Sequence, residues 1–118
     1  MSDSFQGTAD IILQPGSSSV PYTFTFAAAS SATANDGSIP YGTTISSAAV
    51  KAFDTAGTDV TTQMVASDSL ATPVVTVNLK YPTTSGDGKY SLEFVLTLSS
   101  GAKMEFDFTR VFAKDISA

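Results

Sequence analysis

The chain contains no cysteine, no histidine and no tryptophan, and its single arginine is Arg110. Without cysteine, no disulfide staples it and no thiolate can serve as nucleophile or metal ligand. Without histidine, it lacks the commonest general base, the serine–histidine triad and the usual zinc ligands. A lysine- or carboxylate-based enzyme stays formally open. The lysines Lys51, Lys80, Lys89, Lys103 and Lys114 fall near strand ends or turns, as solvated charges do. Gly86-Asp87-Gly88 is too short for a phosphate-binding loop and opens no helix, so it reads as a turn. No catalysis and no cofactor are therefore expected, and a small-molecule ligand is not favoured.

Basic charge is scarce throughout. Eleven carboxylates face six lysines and arginines, for a net charge of -5, and no basic residue precedes Lys51. Such a chain repels phosphate backbones, which argues against a nucleic-acid partner. Met1-Ser2-Asp3-Ser4 brings neither a basic region nor a long apolar run, so no signal peptide and no membrane span are expected. At 118 residues the expectation is one domain over 1–118, able to remove roughly two-thirds of its unfolded surface from water.

What the chain does have is alternation. Tyr90, Leu92, Phe94, Leu96 and Leu98 share one parity, against Ser91, Glu93, Val95 and Thr97. Met104, Phe106 and Phe108 then alternate with Glu105, Asp107 and Thr109. Period two marks half-buried strands, and two such runs around a glycine turn make a hairpin. A two-residue Ser100-Gly101 loop would set Leu96 against Glu105 and bring charge to the buried face. A three-residue Ser99-Ser100-Gly101 loop sets Leu96 against Met104, Phe94 against Phe106 and Leu92 against Phe108. Gly101 then takes the left-handed position of a type I turn with a bulge. The same register, continued, sets Arg110 against Tyr90.

The remaining strands are shorter. Phe5–Leu13 alternates imperfectly, and Tyr22–Phe26 alternates cleanly with its aromatics inward. Ile45–Phe53 places Ala48, Val50 and Ala52 on one side. Asp59–Val65 could hold a short strand, and Val74–Lys80 aligns Val75, Val77 and Leu79. Ala27–Pro40 reads as a long exposed loop with Asn35-Asp36-Gly37 as its clearest turn. About seven short strands at this spacing predict an all-β, immunoglobulin-like sandwich of two antiparallel sheets. The expected core is Tyr22, Phe24, Phe26, Val50, Val75, Val77, Leu92, Phe94, Leu96, Phe106 and Phe108. Residues 113–118 are expected to fray.

Two groups of residues are candidates for contact. The predicted register puts Glu93 opposite Asp107, with Glu105 one step along, on the outer face of the hairpin. Like charges directly opposite are unfavourable. The cluster is either a cation site or an acidic docking patch, or a lysine from a neighbouring strand neutralises it. Asp54 and Asp59 flank a turn, but their spacing is not that of an EF-hand loop, and no metal is assigned. Asn35 and Asp36 in the long loop, with Tyr41 and Tyr81 beside prolines, are candidate loop contacts. The tyrosines leave a carbohydrate-binding or adhesion module as the alternative function.

One resemblance adds to this. Ile45-Ser46-Ser47-Ala48-Ala49-Val50-Lys51-Ala52-Phe53-Asp54, then Gly57-Thr58-Asp59-Val60-Thr61, Val74–Leu79, Gly88-Lys89-Tyr90-Ser91-Leu92-Glu93-Phe94 and Ser100-Gly101 follow one another in order. The series resembles small immunoglobulin-like structural proteins of tailed bacteriophages and prophages, of the neck or fibre–tail adaptor type. The likeness covers about the last two-thirds of the chain and lacks that family's common tryptophan near the first strand. It implies a non-enzymatic virion component, made in the bacterial cytoplasm, whose partners are other virion proteins and copies of itself in a ring. It implies no catalytic residue.

Overall fold

The computed structural model describes residues 3–4 and 10–114. Its strands are β1 (Asp3–Ser4), β2 (Ile11–Leu13), β3 (Val20–Thr25), β4 (Ile45–Asp54), β5 (Val65–Ala71), β6 (Val74–Leu79), β7 (Gly88–Leu98) and β8 (Lys103–Ala113). A single helical turn, α1 (Thr61–Met64), precedes β5. One sheet runs β1-β8-β7-β4, with β2 also on β8, and the other runs β3-β6-β5. With β1 and β2 counted together as the first strand, the second, fifth and fourth strands form one sheet. The seventh, sixth and third form the other, in the strand order of an immunoglobulin-like sandwich, except that the first strand joins the seventh rather than the second. The sheets are not wholly antiparallel, because β1 and β2 both pair with β8 in parallel.

The predicted hairpin is the spine of the larger sheet. Leu96 pairs with Met104, Phe94 with Phe106 and Leu92 with Phe108. The Leu98 N–H donates to the Ala102 carbonyl at 2.8 Å, closing a three-residue loop in which Gly101 has φ +89°. Arg110 does not face Tyr90. A bulge intervenes, and Tyr90 pairs with Val111. The reason is parity: Phe108-Thr109-Arg110-Val111 breaks the alternation, and an unbroken ladder would aim Arg110 into the core. Two β8 residues opposite Ser91 restore the pattern, so Val111 is buried and Arg110 stays outside. Arg110 donates instead to Asp10.

The two sheets meet through phenylalanine rings. Phe24 lies 4.7 Å from Phe94 and 5.4 Å from Phe108, and Phe26 lies 5.3 Å from Phe94 and 5.0 Å from Phe106. All have tilted or edge-on geometry, which suits the ring quadrupoles. Every expected core residue is buried except Tyr22, which packs on the core while half-exposed. Leu13, Leu79 and Leu98 are among the further buried residues, and no described buried residue is charged.

Four local expectations are corrected. Asp59–Val65 is not a strand. The Asp59 carboxylate accepts from the Thr61 N–H and hydroxyl, starting α1, and Val60 and Met64, four apart, are both buried. The strand lies later, at β5, whose side chains are almost all exposed. In the long loop the turn is at Ser31–Ala34, and the Asp36 carboxylate binds Ser30. Gly37 is needed for another reason than a turn: a Cβ there would sit 2.2 Å from the Ala29 nitrogen. The loop is also tied at its ends, where Ala28 bridges Ile39 and Ile39 is buried. Finally, Ala113 does not fray. It is buried in β8, and the next N–H, that of Lys114, donates to Leu13. The expectation for 115–118, and that for 5–9 in the first strand, lie outside the described residues.

Because Phe94 touches rings from both β3 and the segment after it, Phe94→Ala should open a cavity the sheets cannot close. The expected loss is about 3–5 kcal/mol in denaturant unfolding. A loss no larger than that of a surface substitution would contradict this packing.

Candidate functional site

The hairpin register that buries Phe94 also builds the acidic cluster. Since the Leu98 N–H donates to the Ala102 carbonyl, the even-numbered β7 residues form the hydrogen-bonded pairs with β8. Glu93 and Asp107 are therefore a non-hydrogen-bonded pair, the kind that brings side chains closest. Glu105 joins them, and one carboxylate oxygen from each of the three lies within 4.8 Å of the others. Glu93 and Asp107 are half-buried and Glu105 is exposed. On the other side of Glu93, Lys51 of β4 is its direct neighbour. Lys51 is thus mid-strand, not near a strand end as expected, and it is the neighbouring lysine that the sequence left open.

Burial pushes the Glu93 carboxyl above the usual range, and the charges of Glu105 and Asp107 push it the same way. Lys51 offsets them only in part. Proton sharing with Glu105 also favours the protonated form. Three carboxylates could face a hard cation together, but calcium takes six to eight oxygens. The arrangement is first of all a concentrated negative patch on the outer face of the β4–β7–β8 sheet.

The other candidate residues are not gathered with it. Asn35 is exposed. Asp36 is held by Ser30, whose hydroxyl and N–H keep its carboxyl below the usual range. Tyr41 stands 57% exposed. Tyr81 instead packs on the core, with its hydroxyl donating to Asp87. Only Tyr41 of the two therefore offers an open ring. Asp54 and Asp59 are occupied with turns: the Asp54 carboxylate accepts from the N–H groups of Ala56 and Thr58.

Sequence reasoning missed a shallow cavity of about 280 Å³ beside the β8 bulge, lined by Asp54, Thr55, Lys89, Tyr90, Ser91 and Thr109. The interrupted alternation at Thr109-Arg110 was the available signal. Its buried wall is Tyr90, whose hydroxyl donates to the Gly86 carbonyl at 2.6 Å. Among the described residues, no helix is long and apolar enough to cross a membrane. In comparison with known proteins, the chain matches no family model and no curated protein sequence.

The raised Glu93 carboxyl has a definite sign in stability. Folded protein holds this proton at higher pH than the unfolded chain, so native stability falls as pH rises from the ordinary glutamate value of about 4.5 through the folded value. Glu93→Gln should therefore raise the melting temperature at neutral pH, and the gain should vanish once the wild-type carboxyl is protonated in both states. Comparing the two proteins at each pH cancels the opposite contributions of Asp36 and Asp59. An equal or lower melting temperature for the variant at neutral pH would contradict the account.

Proposed function

We propose that the protein is a non-catalytic structural or adaptor component of a tailed-phage or prophage particle. It works by protein–protein contact through the outer face of the β4–β7–β8 sheet. The observation that carries this reading is the Glu93–Asp107 pair. Two carboxylates are held at the closest type of cross-strand position with a third beside them. Directly opposed like charges weaken a sheet, and a basic partner surface would relieve that repulsion. The chemistry elsewhere supports the same reading, because the buried set of described residues contains no charged side chain and its Tyr90 hydroxyl is committed to the Gly86 carbonyl.

The particle assignment rests on the resemblance across the Ile45–Asp54 strand, the Val74–Leu79 strand and the final hairpin. Virion assembly repeats subunits in rings, so a modest contact per copy is strengthened by multivalency. The protein would be made in the bacterial cytoplasm and carried into the particle beside other virion proteins. The carbohydrate reading is less favoured, since Tyr81 is committed to the core and Asp87.

Mass spectrometry of gradient-purified particles from the encoding phage or prophage tests this. The wild-type chain should be present. A Glu105→Lys/Asp107→Lys variant should remain folded yet be lost from particles. Consistent absence of the wild-type chain would sink the proposal.

A further inference from the structure

Three sheet edges are formed by described residues alone, and they differ in how open they are. Along β3, the Phe26 N–H donates inward to Pro73, so even-numbered residues face β6 and odd-numbered residues face out. Pro21 occupies an outward position and removes a donor there, as edge prolines do. Along β4, the outer edge is covered near both ends. The Ile45 N–H donates to the Thr72 hydroxyl, the Ala52 N–H to the Thr61 hydroxyl, and the Asp54 N–H to the Thr58 carbonyl. Only a short stretch around Ala48 and Val50 lies between.

β5 is different. In β6, Val75, Val77 and Leu79 turn their backbone groups toward β3, so Val74, Thr76 and Asn78 turn theirs toward β5. Their partners Ala71, Ser69 and Ser67 are thereby engaged, while the backbone groups of Asp68 and Leu70 face away from the sheet. No proline or glycine interrupts this strand, and its side chains between Val65 and Leu70 are short. An edge of this kind is a template for another strand.

Asp68 decides which strand can use it. It pairs directly with Val77, as Leu70 pairs with Val75, and both valines are buried. Directly paired residues share a face, so Asp68 is a carboxylate on the core-facing parity, left exposed at the rim of the sandwich. A strand added beside β5 would take water from that carboxylate unless it brought a compensating group. In an antiparallel pair of two copies centred here, the two Asp68 carboxylates would be directly opposed.

We propose that β5 is a strand-accepting edge that selects its occupant by charge. The occupant is an extended segment of another protein with a lysine or arginine opposite Asp68, and a second copy of this chain is refused. Charge complementarity favours this occupant, because a cation facing Asp68 forms a charge-assisted hydrogen bond where strand addition excludes water. The inference is independent of the particle assignment and of the Glu93 patch.

The test uses the protein as its own partner. Amide resonances of Val65–Ala71 in isotope-labelled wild type should not change with concentration, and those of Asp68→Lys alone should not either. Mixing labelled wild type with unlabelled Asp68→Lys places opposite charges across the edge, and these resonances should then shift progressively and saturate. Should Asp68→Lys fail to fold, Asp68→Thr serves in its place: it drops the charge, keeps a strand-forming side chain, and should associate with itself through the same residues. Unchanged β5 resonances in whichever arm is run, or association of wild type alone as strong as that of the mixture, would overturn the proposal.

Discussion

The pairing of β7 with β8 is the constraint on which the rest depends. Side chains alternate across a strand, so one register fixes both faces at once. Phe94 beside Phe106 inside the sandwich entails Glu93 beside Asp107 outside it. The two faces contribute unequally. Burial of the phenylalanines contributes about 1.5–3 kcal/mol each. A cross-strand charge pair is worth only about 0.2–1 kcal/mol. The core therefore wins, and the carboxylates are held together whatever their mutual repulsion. The bulge beyond Leu92 follows from the same competition. Holding the register to the end of β8 would bury Arg110, so the ladder slips by one residue and buries Val111.

Much of this was legible because the hairpin is strictly periodic between its turn and the Leu92–Phe108 pair, and its glycine has one sterically comfortable place. Counting which loop length kept charge off the buried face was enough to select Ser99-Ser100-Gly101. β5 was not legible, because Val65–Ala71 is an edge strand with little burial and so carries little hydrophobic pattern. Its neighbour α1 was missed for the opposite reason. One turn is too short to show a period, although Val60 and Met64 hinted at it. Gly37 was misread because a close approach between two loop segments leaves the same mark in a sequence as a turn. The acidic cluster was legible once the register was chosen. Lys51 beside it depended on the β4–β7 alignment, which a separation of some forty residues hides.

Function then becomes a question of which surfaces are free. The interior of the described residues holds no charged side chain, and its Tyr90 hydroxyl is satisfied by the Gly86 carbonyl. Polar chemistry is thus left to the exterior: the outer face of the larger sheet and the edge of β5. The two surfaces are physically distinct. One concentrates charge on a sheet face whose backbone is already paired. The other turns the backbone groups of Asp68 and Leu70 away from their own sheet, beside a single carboxylate. A structural component can use both, a face for a basic surface and an edge for an extended segment.

The most direct measurement is the cross-strand contact pattern of β7 and β8 in solution by nuclear Overhauser spectroscopy. Close α-proton contacts are expected for Glu93–Asp107, Val95–Glu105 and Thr97–Lys103, with Tyr90 meeting Val111 beyond the bulge. Contacts that instead pair Leu96 with Glu105, or Tyr90 with Arg110, would contradict this register.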